Sequence, residues 1–565
     1  MGDIESMVAA DGGPMDEADQ GIPEIKRRKQ GFLPGPRNPQ ERDEWPDEVL
    51  FSLHRSGGLR NFFQTLKEGV CMSTDYSGMG CAEEAMRCLL LAAETWASRK
   101  EEEADQPAQL PSKVLRRLLP LEGQEESDAG GLTFADAGPS GAFPPLPCVG
   151  QDFQANVNVF RAGDIEADCR RILLAHQGKA APTCVHGDIG ERCEKRIWEG
   201  VEADIERLQR NSRTRGTISA QQFAKEAFQI FRQQRLKGKQ AYCYRHDKKC
   251  SVAPPQESGG ITLNVAGFIC VDWSAMGKNL GWFGSSCLPF MQWLSERMIF
   301  QEDMVLGENV KNFDFESMAD MVADIYDVYR FEISPSLLGH PSERQRLYLL
   351  MLHKEKRQWR RDSVAANPQA AFEAMFGRET FMSNFLPETT STGKNWSCYQ
   401  AMSSSLRKNL DEHTTKKLEK ESEMRQKGVE VPAAKMWMTN LAQKADWMGP
   451  VCGKVPAILQ RSSLWLYGQR RLALPLELLE CQGWNLYGSA NCPYRCEAKV
   501  WETLADLTES RIRSIAGNAM HVQCVASVLA FALAETEIRQ SRPGPAAASS
   551  SAAGAPSRST AAYGA

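Results

Sequence analysis

"GVCMSTDYSGMGCAEEAMRCLLLAAETWAS", residues 69–98, passes from a strand-like run through two close-set glycines into a helix-like run. Gly78 and Gly80 allow a tight turn and a close approach of backbone to a ligand. Downstream the same alternation continues. "ANVNVFRA" (155–162) reads as a strand ending near Asp164, before the helical "EADCRRILLAH". "PTCVHGDI" (182–189) and "ITLNVAGFICV" (261–271) read as strands, and "CLPFMQWLSERMIF" as an amphipathic helix. "DMVLGENV" (303–310) is a strand, "DFESMADMVADIYDVY" a helix, and "YRFEISPSLLG" and "RLYLLMLH" (346–353) are strands. Strands alternating with helices predict an α/β fold, a Rossmann-like parallel sheet with helices on both faces. Ligands in such sheets sit beyond the carboxyl ends of the strands. Asp75, Asp164, Asp188, Cys270 and Glu308 all fall at those ends.

The turn lacks the full G-x-G-x-x-G, so a dinucleotide pyrophosphate is not indicated. Asp164 is placed to accept hydrogen bonds from ribose hydroxyls, and Asp188 to take an exocyclic amine. That series suits an adenosine-type ligand without a diphosphate, of which S-adenosylmethionine is the obvious example. Each acid taken alone reads equally as a helix or turn cap.

The 565 residues suffice for two or more domains. Hydrophobic content of 42% and charged content of 25% are ordinary for a globular protein. A net charge of −5 excludes a polycation, so a nucleic-acid partner must be held by local basic patches. The 17 scattered cysteines and the absence of a secretory signal suit a reducing compartment. "KRRK" at 26–29 reads as a nuclear import signal or as a solvated basic run. No run reaches the roughly 18–20 apolar residues of a membrane span, so no membrane partner is expected. "AYCYRHDKKC" offers Cys243, His246 and Cys250 in a C-x₂-H-x₃-C spacing, and "CPYRC" offers Cys492 and Cys496. Without a C-x₂-C pair no metal is assigned.

The chemistry-bearing segments resemble the C5-cytosine methyltransferases. The family's Pro-Pro-Cys-Gln-x-Phe-Ser segment corresponds to Phe268-Ile269-Cys270-Val271-Asp272-Trp273-Ser274. Its Glu-Asn-Val is Glu308-Asn309-Val310, and its Gln-x-Arg-x-Arg is Ser342-Glu343-Arg344-Gln345-Arg346. "RLALPLELLECQGW" supplies Arg471, Glu477, Gln482 and Gly483, and "AGNAMHVQCV" supplies Gly517, Asn518 and Ala519. "DYSGMGCAEEAM", "AGDIEAD" and "GDI" precede these in the family's order, over about 70–350 and 465–535. The resemblance is to a divergent, protist-type member: Ile269, Val271 and Ser342 replace a proline and two glutamines.

The resemblance implies a catalytic set of Cys270, Glu308, Arg346, Arg344 and Asn309. It implies an S-adenosylmethionine site at Asp75, Tyr76, Ser77, Gly78, Gly80, Asp164, Ile165, Asp188, Ile189, Asn518 and Ala519. Cys270 would add to C6 of a flipped-out cytosine in DNA, aided by a cation or by a helix N-terminus after its turn. RNA in place of DNA, and a silent binding protein, stay open as alternatives. The implied organisation is a disordered tail at 1–45 and a catalytic unit at 46–354, with insertions at about 100–147 and 191–260. A target-recognition unit at 355–465 follows, holding "KEKRQWRRDS" and a charged helix. The chain then returns to the catalytic unit at 466–540 and ends in a disordered tail at 541–565. A nuclear location is expected, and protein partners are unknown.

Overall fold

The computed structural model describes residues 32–33, 35–36, 38–98, 153–215, 218–233, 240–255, 259–275, 277–380, 402–489 and 491–539. The "KRRK" run, the C-terminal tail and the first insertion lie outside the described residues.

The strands are β1 (Val70–Asp75), β2 (Val157–Gly163), β3 (Cys184–His186), β4 (Gln240–Cys243), β5 (Lys248–Ser251), β6 (Ile261–Gly267), β7 (Met304–Asn309), β8 (Tyr326–Ile333) and β9 (Arg346–His353). They form one sheet in the order β5-β4-β3-β2-β1-β6-β7-β9-β8. The five central strands, β3 to β7 through β2, β1 and β6, run parallel. The fold is a Rossmann-like α/β sheet, but its edges depart from the expected parallel arrangement. β9 runs antiparallel to both β7 and β8, and β4 and β5 close the other edge as an antiparallel hairpin. The few residues between β4 and β5 permit only a hairpin. The second insertion therefore extends the main sheet in part.

Both faces of the sheet are buried, and the side-chain period of two is visible along single strands. On β9, Tyr348, Leu350 and Leu352 enter one core while Leu347, Leu349 and Met351 enter the other. The first core packs against helices Trp45–Arg55, Leu59–Glu68, Cys81–Ala97 and Val522–Glu535. The second packs against helices Ala220–Arg232, Cys287–Phe300 and Phe315–Val322. Val522–Glu535 is buried on every side, as a helix apolar all round must be. The stretch Glu509–Glu535 is long and apolar enough to cross a membrane by length and composition, which the sequence reading missed, and 89% of its apolar window is buried in this core.

β10 (Arg357–Trp359) follows the large sheet in the chain. β11 (Trp437–Asn440), β12 (Val451–Cys452), β13 (Leu464–Leu466) and β14 (Arg471–Leu472) form an antiparallel sheet in the order β12-β11-β13-β14, beside helix Ser404–Gln426. β15 (Thr536–Ile538) returns to pair with β10. "KEKRQWRRDS" thus lies against the large sheet's layer, with Trp359 on Phe531 and Arg361 paired to Glu535. It does not join the small sheet, which instead extends past 465 to take in β14.

Two further expectations are corrected. Residues 38–45 are not tail, because Asn38 caps helix Pro39–Arg42 and Arg42 pairs with Asp43 and Glu480. The helix read over "DFESMADMVADIYDVY" ends at Val322, and β8 takes over from Tyr326, whose β-favouring residues pair along β9.

Candidate active site

The turn after β1 is built as its glycines require. Gly78 and Gly80 have φ of 56° and 91°, left-handed values that a side chain would strain. A Cβ on Gly80 would meet His176 Nε2 at 2.6 Å, whereas one on Gly78 would project into open space. Tyr76 takes a positive φ of 51° at the same turn. Its buried hydroxyl has no hydrogen-bond partner, and burial, then the charge of Asp75, raises its pKa. Ser77 ties the turn to β2: its N–H donates to Gly163 O at 3.0 Å, and its Oγ accepts from Gly163 N.

Asp164 follows β2 directly. Its carboxylate accepts from Gly78 N at 2.8 Å and from Glu166 N at 2.8 Å. Burial pushes its pKa up to about 6 against those two N–H groups. Ile165, beside it, is 60% exposed, unusual for so large an apolar side chain. Asp188 caps the turn after β3 by accepting from Gly190 N, with Ile189 buried behind it. The strand ends therefore gather two acids, an unpartnered hydroxyl, an exposed apolar side chain and open space above Gly78.

Asp75 does not face that space. It is fully buried in an ionic box with Arg161, Arg192, Arg297, Glu296 and Glu302. Its two oxygens accept from Arg161, Arg192 and Asn264. Its expected place among ligand contacts is replaced by one inside the sheet, where three arginines offset three acids.

The reactive end assembles on neighbouring strands. β6 ends at Gly267, and Phe268 N–H donates to Glu308 O at 3.1 Å. Cys270 lies three residues past the strand, half-buried, between exposed Ile269 and Val271. Its carbonyl accepts from Trp273 and Ser274, forming a turn. That turn leads into a loop, and the next α-helix among the described residues starts only at Cys287, so the expected helix directly after the turn is not formed. The loop is pinned by buried Asp272, which accepts from Ser286 N and Oγ, and by Trp273 packed on Trp282 and Phe313.

Glu308, near the end of β7, is buried, and Arg346 Nε lies 3.1 Å from its Oε1. The N–H is not aimed at that oxygen, which makes no hydrogen bond. Burial raises the Glu308 pKa, and Arg346 and then Arg344 oppose it. For Cys270, burial and then Glu308 push the thiol up while Arg346 and Arg344 pull it down. One thiol, one acid and two guanidiniums thus share one electrostatic neighbourhood.

Arg344 differs from Arg346. It donates to the carbonyls of Ile458, Gly517 and Ala519 at 2.8–3.1 Å, and burial, then Arg346, lowers its pKa to about 10. It acts as a clamp between chain segments. Asn309 is buried, its Oδ1 accepting from Val310 N, so it holds its own loop. Asn518 is exposed and accepts from Gln460, while Ala519 is buried beside the Arg344 clamp. Asn518 side-chain contacts run to the small unit, so its expected place at the cofactor is not where its bonding partner lies. Sequence reasoning missed Arg161, Arg192 and Glu296, whose partners are remote in the chain, and the Asp272–Ser286 contact that pins the loop.

No family model and no curated protein matches the chain. Solved structures do. The S. pombe Dnmt2 methyltransferase aligns at 10% identity over 82% of this chain and 98% of its own, with TM-score 0.34. The Entamoeba histolytica methyltransferase EhMeth aligns at 10% over 82% and 97%, with TM-score 0.33. A Spodoptera frugiperda DNMT2 mutant aligns at 10% over 82% and 99%, with TM-score 0.28. Likeness at this level decides neither family nor activity.

Proposed function

We propose that the chain transfers a methyl group from S-adenosylmethionine to C5 of cytosine in DNA, with Cys270 as nucleophile. One observation carries this reading. Half-buried Cys270 lies in the loop leaving β6, and the Glu308–Arg346 pair, 3.1 Å apart, stands on the adjacent strands β7 and β9.

The donor's site is the β1 turn. Asp164 is the acceptor for ribose hydroxyls, Ile165 the apolar wall for the ring, Asp188 the acceptor for an exocyclic amine, and Tyr76 a free donor. S-adenosylmethionine supplies, when bound, an electrophilic methyl group. Cytosine C5 is too weak a nucleophile to take it unaided. The Cys270 thiolate adds to C6 and turns C5 into an enamine-like carbon. Glu308, whose pKa burial raises, donates to N3 so that negative charge does not build up on the ring. Arg346 favours the thiolate electrostatically. After a base removes the C5 proton, the thiolate leaves. The target base must be flipped out of a duplex to meet Cys270, and exposed Ile269 and Val271 would flank it. The small sheet with helix Ser404–Gln426 is proposed as the recognition unit, joined to the reactive end by Arg344. A nuclear location is proposed from "KRRK".

The test is transfer of labelled methyl groups to duplex DNA and, in parallel, to total tRNA. Label in DNA cytosine, lost in Cys270→Ala, supports the reading. Label in tRNA alone moves the substrate to RNA. Cofactor binding with no transfer to either supports a silent binding protein.

A further inference from the structure

Away from the reactive end, three thiols and one imidazole meet at the sheet edge. Cys184 comes from β3, Cys243 from β4, Cys250 from β5 and His246 from the turn between the last two. Their donor atoms all lie within 4.8 Å of one another. His246 Nδ1 stands 3.6, 3.4 and 3.4 Å from the sulfurs of Cys184, Cys243 and Cys250. A tetrahedral zinc with Zn–S near 2.3 Å and Zn–N near 2.05 Å gives an S···N edge of about 3.5 Å. The three S···N separations match that edge, and the three sulfurs lie within 4.8 Å of one another.

We propose that Cys184, Cys243, His246 and Cys250 form a structural zinc site.

Four protein ligands leave no open position, which separates a structural zinc from a catalytic one. Thiolates with an imidazole in a tetrahedron select zinc over oxygen-preferring cations.

The hairpin also has a physical need for such a link. β4 joins the sheet by one register pair, His186 with Cys243, supplemented by Tyr244 N–H donating to Val185 O at 2.7 Å. Of its strand residues, Ala241 and Cys243 are buried and most others are exposed. A two-stranded hairpin with so little apolar burial is marginal in water. The metal would tie three strands together at one point. It would also fix Tyr244, whose ring packs against Gly187 and beneath the Arg170 guanidinium at 4.2 Å, beside Asp188. Cys492 and Cys496 take no part: Cys492 lies against Asn485 and Asp43, and Cys496 beside Glu497.

The test uses the full chain, purified with reductant and without chelator, and measures zinc, iron and copper by plasma mass spectrometry. About one zinc per chain is expected, falling to near zero in Cys243→Ser/Cys250→Ser. The wild-type protein stripped with chelator and titrated with cobalt should show the visible bands of tetrahedral cobalt thiolate. This second measurement does not depend on the variant folding. Absence of bound metal together with no cobalt bands overturns the proposal. So does a disulfide joining two of these cysteines in the reduced preparation, or iron as the sole bound metal.

Discussion

At the scale of single residues, the proposed reaction depends on the pairing of Glu308 with Arg346. An acid that must donate a proton needs a raised pKa, and burial on β7 supplies it. Glu308→Gln keeps the shape and removes the proton. Its kcat should fall by about 10²–10⁴-fold, the usual scale for a lost general acid, while affinity for S-adenosylmethionine stays unchanged. The Arg346 cation lowers both Cys270 and Glu308. Activity needs Cys270 deprotonated, so it rises through the thiol pKa; it needs Glu308 protonated, so it falls above the acid's pKa. Removing the cation raises both values. In Arg346→Ala both limbs of the pH–rate profile should move to higher pH, along with a lower maximum. An unmoved profile would place Arg346 outside this circuit. Cys270 and Glu308 were legible as residues at or just past the ends of apolar strand runs, whereas Arg346, which opens β9, was reached only through the family resemblance. The clamp that Arg344 forms did not show in the sequence because its partners, the carbonyls of Ile458, Gly517 and Ala519, belong to segments far along the chain.

At the scale of elements, β1 carries the clearest lesson. Its apolar run and glycine turn gave away the strand, the turn and the helix after it. The job of Asp75 did not show, because its partners Arg161 and Arg192 stand 86 and 117 residues away. A strand-end acid reads alike whether it faces a ligand or an arginine. Burial alone would raise the Asp75 pKa, but Arg161, Arg192 and Arg297 hold it well below the usual carboxylate range. A depressed folded pKa means stability that is fully present above the unfolded value, near 3.9, and lost as pH falls below it. Asp75→Asn should cost about 3–5 kcal/mol at neutral pH, because it leaves buried guanidinium charge uncompensated. Urea unfolding should register this loss, and the variant should lack the wild type's decline in stability below about pH 4. The same distance effect hid Cys184, 62 residues before His246: the spacing of Cys243, His246 and Cys250 showed three of the four residues, and only the antiparallel pairing of β4 with β3 brings the fourth.

At the scale of the whole molecule, the proposed reaction places donor and target base at neighbouring strand ends of the large sheet. The β1 turn with Asp164 and Asp188 lies on one side of β6, and Glu308 and Arg346 on the other, with Cys270 in the loop that leaves β6. The small unit meets this edge through the Ser342–Val455 bridge and the Arg344 clamp. Alternation of strands and helices made the central architecture readable. The antiparallel edges, and the capture of residues 357–359 by β15, depend on pairings that no local pattern encodes. What the architecture is proposed to serve is bond formation between Cys270 and a flipped cytosine, with a methyl donor close by. The most direct measurement is covalent trapping of the full-length protein on an oligonucleotide carrying 5-fluorocytosine, in the presence of S-adenosylmethionine and resolved by denaturing electrophoresis and peptide mass spectrometry. A fluorine at C5 cannot leave as a proton does, so the account predicts a denaturant-stable adduct on the peptide containing Cys270, absent in Cys270→Ser. An adduct on another cysteine, or none with either DNA or RNA while S-adenosylmethionine still binds, would contradict it.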